Sequence, residues 1–110
     1  VVIIAWFLLF ITIVLEVAGT ISMKLSYGFT KLLPSILLFV FYGACFALFA
    51  FVVTKIELSI AYAIWSGLGT LAVCIIGITF FGESFSIAKV VFVLLIIIGV
   101  IGLKLTSSQA

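Results

Sequence analysis

Glu16 is the one acid inside a long apolar stretch that opens the chain. A charge at the centre of such a helix costs at least about 2.5–3.5 kcal/mol to insert into a bilayer. In oil a carboxylate needs a cation, a polar cavity or a proton. The chemistry to expect of Glu16 is therefore reversible binding of protons and cations. The bland alternative is a structural pair with a lysine. Lys24 lies eight residues on, about 12 Å along a helix axis, too far for a comfortable pair in the same chain. Thr12 and Thr20 recur at spacing four on either side of Glu16 and share its stripe. Gly19, next to it, leaves room. Each threonine can equally back-bond to its own helix.

A second set of residues lies in the third apolar stretch. Tyr62, Trp65, Ser66 and Gly69 are three, four and seven apart, which places them on one helix face. Trp65 is well inside its stretch, so an interfacial belt explains it less well than it explains Trp6. Tyr42 lies midway along the second stretch, where its hydroxyl needs a partner. Aromatic faces attract cations and cover apolar bodies. One carboxylate with several such faces suits a lipophilic cation. Gly67 and Gly69 permit either a bend or close packing. Gly99 and Gly102, among isoleucines and leucines, read as a packing or dimer contact. Cys45 and Cys74 read as small packing residues.

There is no histidine, no nucleophile beside a base, no phosphate loop and no metal-ligand spacing. An enzyme is not expected, nor is a metal or an organic cofactor; protons would be the coupling ion.

The elements that must carry these residues follow from composition. Of 110 residues 68% are hydrophobic and 7% charged, against about 25% charged in a soluble domain. The bilayer is the expected solvent. Four stretches reach the roughly 20 residues that a crossing helix needs. They predict helices at approximately 1–25, 32–53, 58–81 and 85–105 in a single all-α membrane domain, 1–110. The runs are continuous rather than alternating, which argues against a barrel. The links are short, and Pro34 suits the first turn of the second helix. The first stretch has no basic lead and no small-residue cleavage site, unlike a signal peptide. The expected location is the inner (plasma) membrane, crossed several times. A net charge of +2 without a basic run gives no reason to expect nucleic acid.

Lysine bias is weak. Lys55 and Lys104 fall on one side, Lys31 and Lys89 on the other, with Lys24 near the end of the first helix. Orientation normally follows such bias, so insertion both ways is expected. Four helices are too few to surround a pathway, and a dimer of eight is the smallest plausible unit. With both insertions that dimer could be antiparallel, with its site at the interface as in inverted repeats.

These residues resemble the small multidrug resistance family of proton-coupled exporters along essentially the whole chain. The motifs are Glu16-Val17-Ala18-Gly19-Thr20 with Met23-Lys24, Ser26-Tyr27-Gly28-Phe29-Thr30 leading to Pro34-Ser35, and Ala61-Tyr62-Ala63-Ile64-Trp65-Ser66-Gly67-Leu68-Gly69. Phe81-Gly82-Glu83 and Gly99-Val100 complete them. The resemblance implies an antiparallel, dual-topology homodimer in which both copies of Glu16 bind protons and substrate competitively. It implies a site lined by Tyr62 and Trp65 and shaped by Tyr42 and Ser66. It implies a bend at Gly67 and Gly69, and dimer packing through the fourth helix at Gly99 and Val100. Guanidinium exporters of the family typically carry Trp where this chain has Gly19. Gly19-Thr20 and Ser66 instead resemble the multidrug, quaternary-ammonium branch. Thr20-Ile21-Ser22-Met23-Lys24 and Phe81-Gly82-Glu83-Ser84 also resemble the paired polyamine exporters, which are heterodimers. The expected function is proton-coupled export of lipophilic organic cations. Guanidinium or polyamine export is the alternative within the family. A structural subunit without transport is the alternative outside it.

Overall fold

The computed structural model describes residues 2–106. Among them the chain forms four helices: α1 (Val2–Leu25), α2 (Leu32–Val52), α3 (Leu58–Phe80) and α4 (Ile87–Thr106). Each is long and apolar enough to cross a bilayer. Val1 and the tail from Ser107 to Ala110 lie outside the described residues.

The ends differ from the sequence expectation by one or two residues. Both α2 and α3 stop one residue early. α4 starts two residues late because Ser86 caps it: its Oγ accepts the Lys89 N–H at 3.1 Å. α3 ends at a left-handed Gly82 (φ 66°). The N–H groups of Phe81 and Glu83 both turn back to the Gly77 carbonyl, at 3.2 and 3.0 Å. The α1–α2 link turns on buried Ser26, whose carbonyl accepts the N–H groups of Thr30 (2.8 Å) and Lys31 (3.1 Å).

Lipid tails are as apolar as leucine, so contact geometry and hydrogen bonds hold such helices together rather than hydrophobic burial. Ala5, Leu9, Ile13 and Val17 form a buried stripe at spacing four along α1. It packs with Val52, Ile56, Ile60, Ala61 and Ile64. Most of the contact of α1 is with α2, and the rest is chiefly with α3. α4 packs chiefly on α3 and buries none of its described residues. Gly67 makes that contact close: a Cβ there would lie 2.5 Å from Val100 Cγ2. Lys104 Nζ, 5.0 Å from the Trp6 ring centroid, ties the end of α4 to the start of α1. The result is a slab of 44 × 35 × 16 Å. Packed helices lie about 8–10 Å apart axis to axis, so the slab is no more than two helices deep and too thin to enclose a pathway by itself.

Candidate functional site

Glu16 lies on the face of α1 that meets both α2 and α3. Its two carboxylate oxygens differ. Oε1 accepts the Thr20 hydroxyl at 3.1 Å. The Thr20 oxygen is 2.7 Å from the Tyr42 hydroxyl. Thr20 has one hydrogen, and it goes to Glu16, so Tyr42 donates to Thr20. Oε2 is buried and has no hydrogen-bond partner. It lies against Gly69 of α3, where a Cβ would come within 2.8 Å of it. Any larger residue at position 69 pushes the carboxylate away.

Glu16, Thr20, Trp65, Ser66, Gly69, Thr70, Val73 and Cys74 line a cavity of about 260 Å³. It opens from the α1–α3 seam, so the acid of α1 looks onto the polar stripe of α3. The hydroxyls of Ser66 and Thr70 back-bond to their own helix, to the carbonyls of Tyr62 (2.8 Å) and Ser66 (2.7 Å).

Trp65 stands at the centre of an aromatic row. Its ring lies 5.2 Å from Phe49, 5.4 Å from Tyr62 and 6.0 Å from Phe46. Phe46 leads on to Tyr42 at 6.2 Å. The row joins α2 to α3 on one side of the acid. Trp65 Nε1 is buried without a hydrogen-bond partner of good geometry, with the Cys45 sulfur beside it. Cys45 itself donates to the Thr12 carbonyl at 3.3 Å.

The structure thus brings Glu16, Thr20, Trp65, Ser66 and Gly69 together, with Tyr42 one bond away. Two sequence expectations are corrected. Gly19 does not leave open room: a Cβ there would lie 2.6 Å from Cδ1 and Cε1 of Tyr42, so the Tyr42 ring already fills the space. Thr12 does not reach the cavity. It is fully buried between helices and bonds to the Leu9 carbonyl at 2.7 Å. With about 3.6 residues per turn, a spacing of four drifts by roughly 40° per step. Thr12 and Thr20 are therefore about 80° apart, and only Thr20 faces α3. Tyr62 is 55% exposed and touches the site through Trp65. Gly67 receives Val100, and Gly99 stands open, with nothing where its Cβ would be.

Sequence reasoning missed Thr70 and Cys74. Both continue the Tyr62–Ser66 stripe at spacing four, and that signal was there to be read. It also reduced Cys45 to filling, although its thiol sits beside the indole of Trp65 and ties α2 to the backbone of α1.

Residues 4–96 match the family model described as Small Multidrug Resistance protein. The chain is 48% identical over 105 residues to an uncharacterised membrane protein, YvaE, of Bacillus subtilis, covering 96% of this chain and 88% of that one. It is 42% identical to a guanidinium exporter of Yersinia pseudotuberculosis (94% and 99% covered). It is 39% identical to the multidrug resistance protein mmr of Mycobacterium leprae (96% and 99% covered). With an intramembrane acid opening onto a lined cavity and four crossing helices, the chain belongs to the small multidrug resistance family and is a multi-pass plasma-membrane transporter, not an enzyme, that exports small molecules at the expense of the proton-motive force.

Proposed function

We infer that the exported molecule is a guanidinium-type cation and that Glu16 carries a proton and the cation in turn. The observation that carries this reading is Glu16 Oε2, a buried acceptor with no partner at the edge of the cavity. A buried acceptor left unbonded costs about 1–3 kcal/mol, more when charged. A proton satisfies it, and so does an N–H of a planar guanidinium, which presents a fork of donors to a carboxylate. A quaternary ammonium has no N–H and leaves it unbonded. Proton and guanidinium compete for one oxygen, and exclusive occupancy of this kind couples their opposite movements.

Three further observations support this. The space beside Glu16 that a bulky cation would use is taken by the Tyr42 ring. Oε1 is already held by Thr20, which Tyr42 holds in turn, and this orients the carboxylate. A relative named as a guanidinium exporter is 42% identical over almost the whole chain. In this reading Trp65 stacks on the guanidinium plane, Tyr62, Ser66 and Thr70 complete the wall, and Gly67 and Gly69 let α3 bend between inward- and outward-facing states. The working unit is two copies in opposite orientations, joined through α4 near Gly99 and Val100. A slab 16 Å thick with an open cavity and an uncovered α4 supports the need for a second copy.

Export of aromatic cations is the second reading, favoured by the row Phe46–Trp65–Phe49. Proteoliposomes with an imposed pH gradient separate the two. Guanidinium should accumulate against its gradient, with tetraphenylphosphonium and spermidine carried poorly or not at all. Strong tetraphenylphosphonium transport without guanidinium transport would sink the guanidinium reading. Purified single-gene protein that transports only with a second, related chain would sink the homodimer.

A further inference from the structure

A second carboxylate is seated on α3 eight residues beyond the first. Glu83 lies just past the end of the helix, yet its side chain folds back onto it. At Gly77 a Cβ would collide with the Glu83 carboxylate, whose Cδ would be only 2.9 Å away. Three features build this return: the left-handed Gly82, the bond from Glu83 N–H to the Gly77 carbonyl at 3.0 Å, and the missing side chain at Gly77 itself. Gly77 does for Glu83 what Gly69 does for Glu16.

The seat is electrostatically unusual. A carboxylate at a helix C-terminus faces the negative end of the helix dipole, so it calls for a nearby cation. Lys24, in the last turn of α1, supplies one. Glu83, Lys24 and Phe81 line one cavity of about 120 Å³, and Lys24 Nζ stands 5.9 Å from the centroid of the Phe81 ring. One cavity thus holds an acid, an aromatic face and a competing ammonium on a flexible stem, the makings of a cation site. Both charged side chains are exposed, as groups at an entrance must be.

This cavity adjoins the one at Glu16. Thr20 and Val73 line both. Gly69 and Gly77 are about 12 Å apart along α3, so a small cation leaving Glu83 meets the Thr20 hydroxyl before it meets Glu16.

We propose that Glu83, with Phe81, is a second cation-binding site at the mouth of the transport site, where an organic cation displaces the Lys24 ammonium on its way to or from Glu16. The proposal rests on the transport reading of Glu16 but not on which cation is carried. In the empty state the Lys24 ammonium stands in the same cavity, beside the Phe81 ring. An incoming cation takes the carboxylate and the ring face, and Lys24 swings towards water on its long aliphatic stem. Glu83 acts on capture, since charges at the edge of a site govern encounter more than residence.

The test measures export of guanidinium and of tetraphenylphosphonium from proteoliposomes by the unaltered protein, by three single variants and by one double variant. For whichever cation the unaltered protein carries, Glu83→Gln should raise KM about tenfold, with the loss read in KM rather than Vmax. Added salt should weaken the unaltered protein more than this variant. Gly77→Ala keeps every charge but displaces the carboxylate, so it should shift KM the same way and add little on top of Glu83→Gln. Lys24→Gln removes the competitor and should lower KM. A KM within twofold of the unaltered value in both Glu83→Gln and Gly77→Ala overturns the proposal, and so does a raised KM in Lys24→Gln. Refusal of guanidinium by the unaltered protein counts against the guanidinium reading alone, because tetraphenylphosphonium then reports on the mouth.

Discussion

The ring of Tyr42 occupies the place where a side chain at Gly19 would project, 2.6 Å from an ideal Cβ. From there its hydroxyl reaches Thr20 at 2.7 Å, and Thr20 reaches Glu16. The small residue beside the acid thus admits the ring of a neighbouring helix. Gly19→Ala should push the ring aside and break the Tyr42–Thr20 bond. Guanidinium affinity should fall about fivefold or more. Tyr42→Phe should fall by a similar factor, and the double variant little further. Additive losses, measured as Kd by titration in detergent, would mean that the glycine and the hydroxyl act separately.

Gly69 is the floor under the free oxygen of Glu16. A methyl group 2.8 Å from Oε2 must displace the carboxylate. Gly69→Ala should reduce transport at least tenfold while the protein still inserts and purifies as folded helix. Unchanged transport by this variant would show that the position of Oε2 is immaterial.

The Gly67–Val100 contact bears on assembly rather than on binding. Gly67→Ala should loosen α4 and lower thermal stability, by roughly 1–3 kcal/mol if the chain cannot relax. Val100→Ala in the same chain should restore most of the loss. A thermal-shift series on Gly67→Ala, Val100→Ala and the pair checks this, and failure of the second substitution to rescue would place the strain elsewhere.

Where proton and cation share one carboxylate per chain, cation affinity rises with pH. The cation binds the ionised form, so apparent Kd should fall by up to about tenfold per pH unit while the carboxyl is protonated, and level off once it is ionised. Glu16→Gln should abolish this dependence. A Kd that does not move with pH in the unaltered protein would uncouple the two ligands.

The crossing helices were legible because a bilayer demands long apolar runs and leaves few other ways to fold them. Glu16 was legible for the same reason: an acid in such a run is costly and has to be explained. Spacing also placed Trp65, Ser66 and Gly69 on one face of α3. It failed for Thr12, where the drift of a four-residue step turned the side chain towards α2. It failed for Gly19, because what fills a gap on one helix is decided by another helix, and no spacing within α1 reports the Tyr42 ring. Glu83 was hidden for a similar reason. Its return to Gly77 depends on the left-handed turn at Gly82, and only the folded chain brings it into the cavity that Lys24 lines.

Proton release from purified protein in detergent tests the central claim most directly. Guanidinium added to weakly buffered protein, at a pH where Glu16 still carries its proton, should release protons, approaching one per bound cation, and Glu16→Gln should release none while its fold is retained. Guanidinium that binds without releasing protons, or that releases as many from Glu16→Gln as from the unaltered protein, would contradict a carboxylate shared between proton and cation.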